Sequence, residues 1–89
     1  MAYPFAQMPT WGEFIKALIS RGCRQGEAGE LIGPRGATII RYLEAPNGVT
    51  TMISPSAMRP SERVTPNTYR TFERTLDVRT GLIPELGSE

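Results

Sequence analysis

The chain has 89 residues, 39% of them hydrophobic and 21% charged, a composition that fits one folded domain and excludes wholesale disorder. A chain of this length buries about 60–65% of the surface that its unfolded form exposes, so the core is small. The formal net charge of +1 supplies no global attraction to nucleic acid or membrane, and no apolar run approaches the ~18 residues needed to span a bilayer.

Residues 1–9 carry Tyr3, Phe5 and Met8 around two prolines and predict an extended N-terminal arm that lays aromatic side chains on the domain. Thr10-Trp11-Gly12-Glu13 has the spacing of a capping box, with Thr10 as N-cap and Glu13 reaching back to the Thr10 amide. The helix it opens runs over 11–21, with Trp11, Phe14, Ile15, Leu18 and Ile19 on one apolar face and Gly22 as C-terminal cap. Trp11 fits a core role better than a ligand-stacking one. Residues 23–29 read as a loop or the ragged start of a strand, and Glu30 to Ile32 as a short strand.

Residues 37–45 are ambiguous: Thr38, Ile39, Ile40 and Tyr42 favour a strand by type, whereas Ile39, Ile40 and Leu43 also share a helix face. The strand reading is preferred because Ala45-Pro46-Asn47-Gly48 has the chemistry of a short hairpin loop, with 49–53 as return strand. Residues 55–63 form a loop, after which Thr65 and Pro66 mark the N-cap and first residue of a second helix. Tyr69, Phe72 and Leu76 form its buried stripe, leaving Arg70, Glu73, Arg74 and Asp77 outside as intrahelical ion pairs. Residues 79–89 are a tail whose Leu82, Ile83 and Leu86 either strap onto the domain or bind a partner. The expected fold is therefore α+β: helix, three-stranded antiparallel sheet over 30–53, helix, with both helices on one sheet face and the domain spanning residues 10–78.

The segment with a chemical reading is Gly33-Pro34-Arg35-Gly36. Two glycines bring backbone N–H groups close enough to form a concavity for a phosphate, and Arg35 adds charge and a planar fork. The same four residues also suit a plain type I turn, and both readings stand. The charge excess lies nearby: residues 35–79 hold seven arginines against four carboxylates. A polyanion should meet that half, although a solvated arginine surface is the commoner origin of so small an excess.

Catalysis is not expected. The chain has no histidine, which removes the commonest general base and metal ligand, and its one cysteine, Cys23, excludes an internal disulfide and a cysteine-based zinc cluster. No motif calls for a cofactor or a metal.

The order helix, three strands, helix resembles the small double-stranded-RNA-binding-domain-like fold of HicA-family mRNA interferase toxins over most of residues 10–78. Residues 65–76 resemble that family's last helix, and Pro46-Asn47-Gly48 its hairpin turn. Gly36-Ala37-Thr38 stands where the family has Gly-Ser-His, so Thr38 replaces the histidine that its ribonuclease activity needs. The resemblance implies an inactive or RNA-holding relative of a toxin–antitoxin protein. A second, local resemblance covers Leu31 to Ile39, which is similar to the Ile-Gly-x-x-Gly-x-x-Ile signature of KH domains. It departs in its flanks, because Gly26 and Gly29 weaken the helix before the loop and Pro46 cuts short the one after it.

These readings predict a cytoplasmic, non-catalytic RNA-binding module. The Gly33 and Gly36 backbone and Arg35 would hold a phosphate, with Arg41, Arg63, Arg70 and Arg74 extending the contact. The alternatives are a protein-interaction or homodimerisation module that uses a sheet edge and the tail, and, less expected, a ribonuclease with an unusual base.

Overall fold

The computed structural model describes residues 4–44, 51–55 and 58–83. It has the expected α+β class, two helices and a three-stranded antiparallel sheet in the order helix, strands, helix. A further two-stranded ladder lies between the sheet and the second helix in sequence.

Helix α1 spans Trp11–Ser20, and its capping box is formed: the Glu13 amide donates to Thr10 Oγ1 at 3.2 Å while the Thr10 amide donates to the Glu13 carboxylate at 2.9 Å. Gly22, at φ +106°, reverses the chain, and the Cys23 amide closes the end by donating to the Leu18 carbonyl at 3.1 Å. Trp11, Phe14 and Leu18 are buried, but Ile19, predicted to face inward, is 45% exposed. One residue beyond Leu18, it is carried about 100° around the helix to the rim of the apolar stripe.

Strands β1 (Arg24–Gln25), β2 (Leu31–Ile32) and β3 (Thr38–Ile39) make the sheet in that order. The register sets Leu31 opposite Ile39, and both are buried, while Thr38 faces solvent. The continuous strand expected over 37–45 is broken at Ile40 and Arg41, both exposed. Period-two alternation turns only Ile39 of the apolar pair inward, so Ile40 has no place in the core and the chain bends there. A new ladder then begins, β4 (Tyr42–Glu44) against β5 (Thr51–Ile53). The third strand of the sheet is thus β1 rather than the return strand. The predicted loop 45–48 and the first two residues of the return strand lie outside the described residues.

Helix α2 spans Pro66–Leu76, with Thr65 Oγ1 accepting from the Thr68 amide at 3.2 Å and Pro66 in the first turn. Its Tyr69 ring stacks on Phe14 at 5.0 Å between centroids, and Phe72 meets Trp11 edge-on at 5.5 Å. Such pairs are each worth about 0.5–1.5 kcal/mol beyond the area they bury. With Leu31 and Ile39 from the sheet, they make one core shared by both helices and one sheet face. The arm is anchored on buried Met8, after a single 3-10 turn at Phe5–Gln7; Phe5 itself is exposed, and Tyr3 lies outside the described residues.

Glu73 is not on the outer face with Arg70 and Arg74. It is 5% exposed, and its Oε2 accepts from the Thr80 hydroxyl at 2.6 Å and the Thr80 amide at 2.8 Å. Tyr69 Oη lies 2.8 Å from Thr80 Oγ1 and accepts from the Ile83 amide at 3.0 Å. This network, with buried Val78 and Ile83, straps the chain after α2 onto the domain, and the rest of the tail, with Pro84 and Leu86, lies outside the described residues. Among the described residues, no helix is long and apolar enough to cross a membrane.

Two stability predictions come from this network. Glu73→Ala would strand the buried Thr80 amide and take one partner from the Thr80 hydroxyl, and should cost about 1–3 kcal/mol in urea unfolding. Burial pushes the Tyr69 phenol above its ordinary value of 10.0, so the folded state holds that proton more tightly than the unfolded chain. The resulting stability is complete below pH 10.0 and is lost as pH rises through the folded value. Tyr69→Phe should therefore be less stable at neutral pH but decline less steeply as pH rises above 10.0.

Candidate functional site

Gly33-Pro34-Arg35-Gly36 is the hairpin loop joining β2 to β3. The Gly36 amide donates to the Gly33 carbonyl at 3.1 Å, the Gly33 amide donates to the Ala37 carbonyl at 2.7 Å, and Gly36 takes φ +95°. That is a tight turn followed by a left-handed glycine, the usual form of a three-residue hairpin loop. Both glycine amides are committed within the loop, so the backbone clamp expected of Gly33 and Gly36 is replaced by hairpin closure. The strands on either side also differ from the helices that flank a KH loop.

The loop's position gives it another role. A Cβ on Gly33 would lie 2.6 Å from the Leu76 carbonyl oxygen, so the hairpin rests directly on the last turn of α2. Pro34 packs against the end of α1, its Cβ 3.3 Å from where a Cβ on Gly22 would be. The hairpin tip is therefore wedged between the C-terminal ends of both helices.

Around this wedge is a cleft of about 450 Å³ lined by Arg21, Pro34, Arg35, Asp77, Val78 and Arg79. Arg35 pairs with Asp77, but the side chains of that pair are 72% and 64% exposed. An exposed pair of this kind contributes about 0–1 kcal/mol and is readily opened. Asp77 also departs from helix rules. It holds the left-handed C-terminal position of α2 (φ +58°, ψ +48°), the counterpart of Gly22 in α1. There it accepts a backbone strain of about 1 kcal/mol and sets a carboxylate at the negative end of the helix dipole.

The structure brings only some of the predicted contact residues together. Arg70 and Arg74 are exposed, one turn apart on α2, on the face that leads to Asp77 and hence to Arg35. Arg63 is at the opposite ends of the helices, where its guanidinium donates to the Met8 carbonyl and its backbone bridges Thr10. Its role is to hold the arm. Arg41 is exposed at the break between β3 and β4, and Thr38, with Oγ1 3.4 Å from the Gly36 carbonyl, faces solvent on β3. Arg21 and Arg79 were not expected at the site. Each lies within two residues of a helix C-terminal cap, but only the fold brings the two caps to one place.

Elsewhere an apolar groove of about 390 Å³ runs along α1 between Ile15, Ile19, Pro55, Met58 and Pro60. Cys23 is buried, which pushes its thiol up and away from the reactive thiolate. No cluster of three or more potential metal ligands occurs among the described residues. No protein-family model, curated protein or solved structure matches the chain.

The two loop glycines should respond differently to substitution. Gly33→Ala forces a Cβ against backbone and should cost about 2 kcal/mol or more, whereas Gly36→Ala meets open space and should cost about 1 kcal/mol from its positive φ alone. Urea melts of both variants, with Gly36→Asn as a tolerated control, measure the difference.

Proposed function

We propose that the protein is a non-catalytic RNA-binding module, a HicA-like domain without the catalytic histidine, which binds through the cationic end formed by the two helix C-termini. The observation that carries this reading is the convergence of Arg21, Arg35 and Arg79 on one cleft, with Arg74 and Arg70 continuing along α2. Guanidinium forks match phosphate oxygens, and several on one surface can follow a phosphate backbone. In this reading Gly33 and Gly36 place Arg35 rather than hold the phosphate, and Arg41 is peripheral. A cytoplasmic location accords with an RNA partner.

Binding by charge should fall steeply with salt, because each neutralised phosphate releases counterions. Arg35→Ala should weaken binding of a short RNA at least several-fold and flatten the salt dependence, while Arg63→Lys should leave it unchanged. An amide-resolved NMR titration with single-stranded and double-stranded RNA at low salt locates the contact. Shifts around Gly33 to Gly36 and Asp77 to Thr80 support the proposal. No shift with either RNA, together with a sedimentation mass near twice 9.8 kDa, would move the assignment to a homodimeric interaction module.

A further inference from the structure

The two helices end in the same way. The Val78 amide donates to the Glu73 carbonyl at 3.1 Å, as the Cys23 amide does to Leu18 at 3.1 Å, and each end turns through one left-handed residue. In α1 that residue is Gly22, the usual choice; in α2 it is Asp77. Glycine or asparagine would serve the backbone at 77 with less strain and without a carboxylate at a negative helix end. What aspartate adds is an anion facing Arg35, inside a cleft that holds two further arginines.

From this we infer that the cleft of Arg21, Arg35 and Arg79 is a site for a single phosphate monoester, and that Asp77 is a resident anion the phosphate displaces from Arg35. The charges match: three guanidiniums against one carboxylate leave a surplus of two, and a phosphate monoester carries nearly two negative charges at neutral pH where a backbone diester carries one. The geometry also suits a chain end or a small molecule. Pro34 and Val78 line the cleft beside the arginines, and Arg21 reaches the strap, its Nη2 3.6 Å from where a Cβ on Gly81 would be. The monoester is either the terminal phosphate of an RNA strand or that of a free mononucleotide. Only the first source rests on the RNA reading.

The test compares one short RNA bearing a 5′-phosphate with the same RNA bearing a 5′-hydroxyl, alongside an NMR titration with adenosine monophosphate. The proteins are the parent chain, Asp77→Asn, Arg21→Ala and Arg79→Ala. Asparagine is at home in the left-handed conformation, so Asp77→Asn keeps the helix end, and Arg21 and Arg79 are exposed, so their loss leaves the core intact. The 5′-phosphate should tighten binding several-fold, Asp77→Asn should widen that difference further, and either arginine variant should erase it. Equal affinity for the two RNAs, with Asp77→Asn strengthening both alike, would overturn the monoester site while leaving RNA binding in place. Shifts at Gly33 to Gly36 and Asp77 to Thr80 with adenosine monophosphate, but none with either RNA, would keep the site and remove the RNA reading. No response to any of the three ligands removes both.

Discussion

The Leu76 carbonyl leaves no room for a side chain at residue 33: a Cβ there would sit 2.6 Å from its oxygen. This close approach fixes how deeply the β2–β3 hairpin seats on α2. The seat in turn sets Pro34 against the end of α1 at Gly22 and brings Arg35 beside Asp77. The position of every arginine in the cleft depends on that contact, because Arg21 and Arg79 follow the helix ends that the hairpin separates. A glycine that looks like a ligand-binding residue in the sequence is here a packing residue.

The cationic end is made of residues far apart in the chain, which explains why a net charge of +1 says so little. Arg21 comes from the end of α1, Arg35 from the hairpin and Arg79 from the strap, and no charge run in the sequence joins them. Two helix C-termini also meet at this end, and their partial negative charges attract cations whether or not a ligand is bound. Capping alone accounts for an arginine near each terminus. It does not account for Asp77, whose carboxylate opposes the same dipole. That conflict between local rule and residue type is the observation on which the proposed phosphate site rests.

Much of the fold was legible because its signals are local. Thr10 with Glu13, and Thr65 with Pro66, start helices by hydrogen bonds that span three residues, and both helices begin where those residues place them. The exceptions are non-local. Glu73 lies between Tyr69 and Leu76 on the buried face by simple helical spacing, yet its charge argued for solvent. Its burial makes sense only once the chain reverses at Asp77 and returns Thr80 to its carboxylate. Ile19 erred the other way, an apolar residue whose neighbours already filled the core. At the candidate site, Arg35, Arg70 and Arg74 were legible from one turn motif and one helix face. Arg21 and Arg79 were not, because their proximity is a property of how the helices pack.

The same packing gives the molecule two chemically different ends. At the N-terminal ends of the helices, Arg63 holds the Met8 carbonyl, Pro9 accepts from the Val64 amide and the Trp11 amide donates to Glu62, so cations and backbone groups are engaged in tying the arm to the domain. Helix N-termini are the ordinary place for an anion to bind, but here they are occupied by their own caps, Thr10 and Thr65. In the RNA reading proposed above, charge for the polyanion comes instead from side chains at the other end, where the guanidiniums of Arg21, Arg35 and Arg79 oppose the helix dipoles. With no histidine in the chain, and with Cys23 and Tyr69 both pushed up by burial, those arginines have no titrating partner near neutrality among these groups. In the reading proposed above, the chemistry of this end is charge recognition, and the occupant that three guanidiniums in one cleft imply is a phosphate.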